Sequence, residues 1–303
     1  MDPITRDFYE ERRRKWRRSA FWRGFLVAAV LALIVGAVRT LGGPPLNPHI
    51  ARVEITGVIY GHQDRAELLK KIAESETAAG LIVHIDSPGG TVVGSEELYE
   101  GLRAVAARKP VVAVMGGVAA SGGYIAAMGG DHIIARGNSI TGSIGVIFEY
   151  LTFVGLMETL GVEVETIRSS DLKAAPSQFR ELTPEARAAE RAIVDETFAW
   201  FQGLVAERRG LEGAALRDVT DGRTFTGRMA FEAGLVDALG DESVAVAWLE
   251  SSRPDLRGLS VETWKIPEED DGIFGFLGQL GLIGADLPRV RLPEGPRLMS
   301  ILQ

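Results

Sequence analysis

Gly-Gly-Val-Ala-Ala-Ser-Gly-Gly-Tyr, residues 116–124, follows directly on Val-Val-Ala-Val-Met (111–115), a β-branched run that reads as a buried strand. The glycines and small residues after it predict a sharp corner from strand into helix, the joint from which α/β folds are built. Ser121 stands at that corner. Its hydroxyl would be open for attack, and the N–H groups that follow it would lie at a helix start, where negative charge is stabilised. The same residues also suit a plainer role, a glycine-rich turn whose serine caps the helix. The choice between the two depends on the rest of the chain.

Working outward, residues 53–60, 80–86, 132–135 and 163–167 have strand character like that of 111–115. Residues 64–75 and 95–107 carry apolar side chains at helical spacing. Thr183-Pro184-Glu185 starts a long helix to about residue 208, with a capping residue followed by proline at the first position. Strands and helices alternate, which predicts a mostly parallel sheet with right-handed crossovers. Gly89-Gly90 and Gly116-Gly117 are expected at the C-terminal ends of strands, where such sheets place their ligands.

The chain has 303 residues and no cysteine, which excludes disulfides, zinc–thiolate sites and thiol nucleophiles. Its charge is uneven. Nine basic residues against four acidic ones precede residue 45, whereas the remainder holds 24 basic and 37 acidic. An acidic body of this kind argues against nucleic acid as a partner. The basic cluster Arg12 to Arg18 and Arg23 precedes an apolar run at 24–38, whose uninterrupted part covers roughly 22 Å of a ~30 Å hydrocarbon core. Counted from 21 to 41, with Arg23 and Arg39 reaching the two surfaces, it becomes long enough to span. The expected organisation is a basic cytoplasmic segment (1–20), a membrane anchor (21–41), a linker (42–49), a catalytic domain (50–250) and an extension (251–303). A cleaved signal peptide is the competing reading of the anchor. The positive-inside rule places the domain outside the cytoplasm, at a bacterial plasma membrane. The Pro-spaced stretch 287–293 reads either as a terminus without fixed structure or as a strand lying in a neighbour's groove.

A serine nucleophile needs a base. Of the four histidines, His49 falls in the linker, His62 in a loop, His84 inside a strand and His132 at a strand start. None forms a recognisable nucleophile–base pattern. The chain uses only six lysines against 27 arginines, and Lys173 is the one set in a small-residue segment, Ser-Ser-Asp-Leu-Lys-Ala-Ala-Pro-Ser (169–177). Burying that amine would disfavour its charged form, so that a neutral amine takes the serine proton; an ordinary surface lysine is the alternative. Ser143, in Thr-Gly-Ser-Ile-Gly-Val (141–146), suits either orientation of the lysine or satisfaction of a turn. In Asp-Ser-Pro-Gly-Gly (86–90), an N–H of Gly89 or Gly90 could join that of Gly122 in an oxyanion hole.

Together, Ser-Pro-Gly-Gly (87–90), Ala-Ser-Gly-Gly-Tyr (120–124), Thr-Gly-Ser-Ile-Gly-Val (141–146) and a lysine 52 residues after the serine resemble the signal peptide peptidase A (SppA) family of serine–lysine peptidases. Residues 225–237 are similar to that family's closing segment. The resemblance implies an α/β fold of repeated ββα units of the ClpP/crotonase type. It implies Ser121 as nucleophile, Lys173 as general base, Ser143 as the residue orienting the lysine, and no cofactor or metal. It also implies a homo-oligomeric ring, tetramer or octamer, in which serine and lysine can come from adjacent subunits. The implied substrates are released signal peptides and other extended peptides at the membrane. Where relatives commonly have glycine shortly before the lysine, this chain has Ser169-Ser170-Asp171. Crotonase-like acyl-thioester chemistry and a catalytically silent membrane scaffold are the rival functions.

Overall fold

The computed structural model describes residues 22–28, 47–265 and 299–301. Residues 22–28 are helical and exposed, with Trp22 edge-on to Phe25. The rest of the expected anchor, and the 287–293 stretch, lie outside the described residues. No helix among the described residues is long and apolar enough to cross a membrane.

From residue 47 the chain forms a mixed α/β body on an eight-stranded sheet, ordered β7-β6-β4-β2-β1-β9, with β5 beside β4 and β8 beside β5. The central strands are β1 (His49–Thr56), β2 (Ala78–Ser87) and β4 (Val111–Ala120). They are joined by β5 (His132–Ala135), β6 (Ile140–Gly142), β7 (Thr224–Thr226), β8 (Ala238–Leu239) and β9 (Val261–Thr263). Every pairing in this sheet is parallel except β6 with β7, as the alternating sequence predicts. A short strand, β3 (Gly89–Thr91), leaves β2 and pairs separately with β10 (Met299–Ile301).

The helices are α1 (Gln63–Glu74), α2 (Val92–Ala106), α3 (Gly122–Ala127), α4 (Val154–Leu160), α5 (Pro184–Arg209), α6 (Gly213–Val219), α7 (Gly227–Glu232) and α8 (Glu242–Ser252). The larger core joins one sheet face (Val53, Leu81, Val83, Ala113) to Leu69, Leu102, Ile125 and Phe201 from α1, α2, α3 and α5. The smaller one packs Ile50, Ile82, Val112 and Ile134 on the opposite face against Ala245 and Leu249 of α8. Each large aliphatic side chain buried this way contributes about 1.5–3 kcal/mol. A strand covered on both faces has no polar side to alternate with, hence the unbroken apolar run of β4. Thr183 caps α5 as expected, accepting from Ala186 N–H at 3.2 Å.

Several expectations are corrected. Residues 163–167 form no strand. The first strand starts at His49 and ends at Thr56, so His49 belongs to the sheet and not to a linker. Its buried ring accepts from the Trp264 indole at 2.9 Å, a partner 215 residues away that local reading has no means to supply. β9, read as part of an extension, adds a parallel strand beside β1.

Gly116-Gly117 does not end a strand. β4 runs through it to Ala120, and the glycines mark where it changes partners. Before them Val112–Met115 pairs with β5; after them Val118–Ala120 pairs with β6. The register against β2 also slips there, from Ile85↔Met115 to Ser87↔Ala119. The displaced Val118 N–H is taken up by the Asp86 carboxylate at 3.0 Å. A Cβ at 116 would crowd the Asp86 side chain at 3.0 Å, so a larger residue there would have to displace it. This irregularity turns the end of β4 toward β3 and β6, and Ser121 is the next residue.

Candidate active site

Ser121 lies between β4 and α3, 1% exposed. Its backbone has φ 54° and ψ −118°, a conformation that L-residues avoid. Such strain costs of order 1–3 kcal/mol and persists only where the surroundings hold it. Here Ser121 N–H donates to Gly142 O at 2.8 Å, while Tyr124 and Ile125 N–H both donate to Ser121 O. Among the described residues, three non-glycine positions have positive φ: Ser121, Ser143 (50°) and Ala174 (56°). Two are the serines singled out from sequence, and the third directly follows Lys173.

Ser143 comes next to Ser121 through the pairing of Ala120 with Gly142. Its N–H donates to Arg223 O at 2.8 Å. Gly89 and Gly90 face α3 from the other side. Gly89 N–H donates to Ser87 Oγ at 3.1 Å, so it is already engaged. Gly90 N lies beside Gly122, 3.1 Å from where a Cβ of that residue would stand. The packing is close throughout. Side chains at Gly90, Gly122 and Gly123 would meet Ile59 O at 1.9 Å, Ser95 Oγ at 2.2 Å and Ser87 O at 2.7 Å respectively.

Sequence reasoning missed what holds α3 in place. The Tyr124 hydroxyl, fully buried, donates to Leu235 O at 2.8 Å. Burial pushes this phenol well above its ordinary value, so it remains a donor at any working pH. Beside it, Arg209 grips Asp237 in a bidentate pair (2.7 and 3.1 Å) and donates to Gly234 O. Arg208 secures the far end of α3 through Met128 O and Gly130 O. Ser95, wedged against Gly122, was also not foreseen. The signal available was Tyr124 at the end of the opening motif and Asp237 at the end of 225–237, though nothing local pairs them.

Lys173 departs from expectation. It is exposed, on a stretch from 145 to 183 in which no residue is buried. Its described hydrogen bonds are local: its N–H donates to Ser170 O, and its carbonyl accepts from Arg168. The single chain therefore does not provide the burial expected for its amine. The histidines are engaged elsewhere. His49 binds Trp264, His62 lies 3.8 Å from Asp64, and His132 stacks on Trp248. His84 lines a polar cavity of about 430 Å³ with Arg52, Glu54, Asp86 and Glu242.

The family model for Peptidase family S49 matches residues 103–254, spanning β4, the Ser121 corner, Ser143 and Lys173. The chain belongs to peptidase family S49. A Clp protease family model also matches residues 63–138. The Synechocystis protein named "Putative protease slr0021" is 43% identical over 201 residues, 66% of this chain and 72% of that one. "Putative signal peptide peptidase SppA" of Enterococcus faecium is 32% identical over 71% of this chain and 67% of its own length. "Protease 4" of Haemophilus influenzae is 31% identical over 65% of this chain but only 34% of its own length. This S49 peptidase is thus similar to SppA proteins of the short type.

Proposed function

We propose that this S49 peptidase is a membrane-anchored serine endopeptidase with a ClpP-like arrangement of its ββα units, acting outside the bacterial cytoplasm on released signal peptides and other extended peptides. The observation that carries this reading is the strained Ser121 corner with Gly90 N beside Gly122. Ser121 Oγ attacks the peptide carbonyl as its proton passes to Lys173. The N–H groups of Gly122 and Gly90 receive the oxyanion; such a donor is worth about 10²–10³ in rate. The leaving amine takes the proton from Lys173, and water then resolves the acyl-enzyme. Ser143, next to the nucleophile, orients the lysine amine.

The base is supplied by a second copy of the chain. Lys173 lies on a segment that buries nothing of its own, with Leu151, Leu160 and Ile167 exposed at 65%, 64% and 95%. So many exposed apolar side chains on one segment support its use as an interaction face. Docked on a neighbour, it would desolvate Lys173 and favour the neutral amine that the mechanism needs. A groove of about 630 Å³ between the end of β3, the start of α2 and the middle of α5, lined by Val92, Val93 and Trp200 with Glu96 and Glu196 beside them, offers room for peptide side chains.

The test exposes the purified chain to a fluorophosphonate probe and a quenched signal-peptide substrate, with Ser121→Ala and Lys173→Ala alongside. Labelling and cleavage should both vanish in Ser121→Ala. Labelling that survives that change removes the nucleophile assignment, and cleavage surviving Lys173→Ala removes the base.

A further inference from the structure

Ser121 and Ser143 are tied together through a single peptide group. Ser121 N–H donates to Gly142 O, and Ser143 N–H donates to Arg223 O, both at 2.8 Å. Gly142 C=O and Ser143 N–H are the two ends of one planar peptide unit, so that unit is gripped from both sides. Ser121, Gly142 and Ser143 all have positive φ, at 54°, 77° and 50°. Strain of this kind lasts only where the surroundings hold it. The hydrogen bonds run in a chain from Ser121 through the 142–143 peptide to Arg223, and each polarises the next.

The far end of that chain rests on a short turn, Asp221-Gly222-Arg223, which leads into β7 beside β6. Asp221 closes it. Its Oδ1 accepts from Arg223 N–H at 3.1 Å, and both carboxylate oxygens accept from Arg223 Nε–H at 2.9 and 2.7 Å. Arg223 Nη2 also pairs with Asp221 Oδ2. Gly222 has φ 89°, the left-handed value that such a tight turn asks of its middle residue. The turn is anchored at both ends. Thr220, 3% exposed, accepts from Gln202 of α5 at 2.8 Å, and the buried Phe225 ring packs where a Gly142 side chain would stand.

The exposure of the pair separates two roles. The Asp221 and Arg223 side chains are 39% and 61% exposed, and ion pairs at such a surface add little to stability. Their other effect is geometric, because the turn they close aims Arg223 O at the peptide between the two serines.

We propose that Asp221 is a positioning residue of the peptidase, holding Arg223 O against the 142–143 peptide and so setting Ser143 and Ser121 for proton transfer. The inference rests on the serine-peptidase reading above and adds a residue that touches neither substrate nor the reacting atoms. Without Asp221 the turn opens and Arg223 O draws back. The 142–143 peptide then rotates, its carbonyl leaves Ser121 N–H, and the Ser143 hydroxyl turns away from the lysine amine. The groove at α2 and α5 is built without this turn, so peptide binding is spared.

The experiment uses the full chain purified in mild detergent, as wild type, Ser121→Ala, Asp221→Ala and Asp221→Asn. Asparagine keeps an oxygen that accepts from Arg223 N–H but loses the ionic contact. Measured on each are kcat and KM for a quenched apolar peptide, the rate of fluorophosphonate labelling and the melting temperature. Asp221→Ala should lower kcat and the labelling rate by about 10- to 100-fold, the scale of an ångström-sized misplacement, with KM and melting temperature close to wild type. Asp221→Asn should recover most of both rates. Unchanged rates in Asp221→Ala, or an asparagine variant no better than alanine, overturn this inference and leave the peptidase reading standing. So does a melting temperature that falls in step with activity, since the turn would then serve the fold alone. A wild type that neither labels nor hydrolyses, or a Ser121→Ala chain that does both, overturns the peptidase reading itself.

Discussion

The segment from Asp86 to Tyr124 and the segment from 145 to 183 each carry half of the proposed chemistry, and they are built in opposite ways. The first is packed until only glycine fits at several positions, and Ser121 is 1% exposed. The second buries no residue, and its helix α4 has only half-buried Val154 and Met157 on its less exposed side. A nucleophile and its oxyanion donors must be held to fractions of an ångström, so one chain's core fixes them. The proposed base, on a segment with no buried residue, is instead left for assembly to complete. Under the proposed function, this contrast would make the peptidase conditional, with catalysis waiting for a neighbour.

The largest effect that would break this contrast is in activity. Lys173→Ala should lower peptide hydrolysis by about 10⁴-fold or more, as removal of a member of a coupled catalytic set does. Its melting temperature should change little, because the residue is exposed in its own chain. Mixing Lys173→Ala with Ser121→Ala chains should restore part of the activity if the pair is shared between copies. Failure to restore any activity in mixed, verified oligomers would return the base to the same chain.

Glycine substitutions probe the same contrast through stability. Gly122→Ala drives a methyl into Ser95 Oγ and should destabilise by about 1–3 kcal/mol in a denaturant titration. Adding Ser95→Ala should recover a portion of that loss. Gly155→Ala in α4 meets nothing within 4 Å and should be neutral or gain up to about 1 kcal/mol of helix propensity. Equal costs at the two positions would mean that the 145–183 segment is packed after all. Tyr124→Phe should cost about 1–3 kcal/mol by orphaning the buried Leu235 carbonyl. It should also lower kcat, since α3 carries Gly122.

What the sequence made legible was local or periodic. The parallel sheet follows from alternating strands and helices, and the Ser121 corner from glycines around a serine after an apolar run. The boundaries of β4 were not legible, because its change of partner at Gly116-Gly117 depends on Asp86, thirty residues upstream. The brace on α3 was equally hidden, since Arg209 and Asp237 are distant in sequence both from each other and from Tyr124. Residues 163–167 have the β-branched alternation of a strand but no edge to pair with, and propensity without a partner leaves them irregular. The expected burial of Lys173 failed because the small residues around it signal neither a core nor a surface by themselves, and the chain leaves all of 145–183 unburied.

The smallest effect concerns the brace rather than the dyad. His132 stacks on Trp248 with ring centroids 4.8 Å apart, and its Nδ1 lies 3.9 Å from Asp237. Desolvation lowers its pKa below the ordinary histidine value; Asp237 opposes that shift and Arg209 adds to it. The folded state therefore prefers the neutral ring, and the unfolded chain binds the proton more readily. The stabilisation is full above the unfolded value of about 6.5 and is lost as pH falls through it. Melting curves at pH 7.5 and 5.5 should show a larger drop for wild type than for His132→Gln. The difference should be a few degrees at most, since about 1 kcal/mol moves a domain of this size by ~2–4 °C. An equal drop in both proteins would assign the acid sensitivity to groups other than this ring, whereas a smaller drop in wild type would mean that Asp237 dominates and that His132 is charged in the fold.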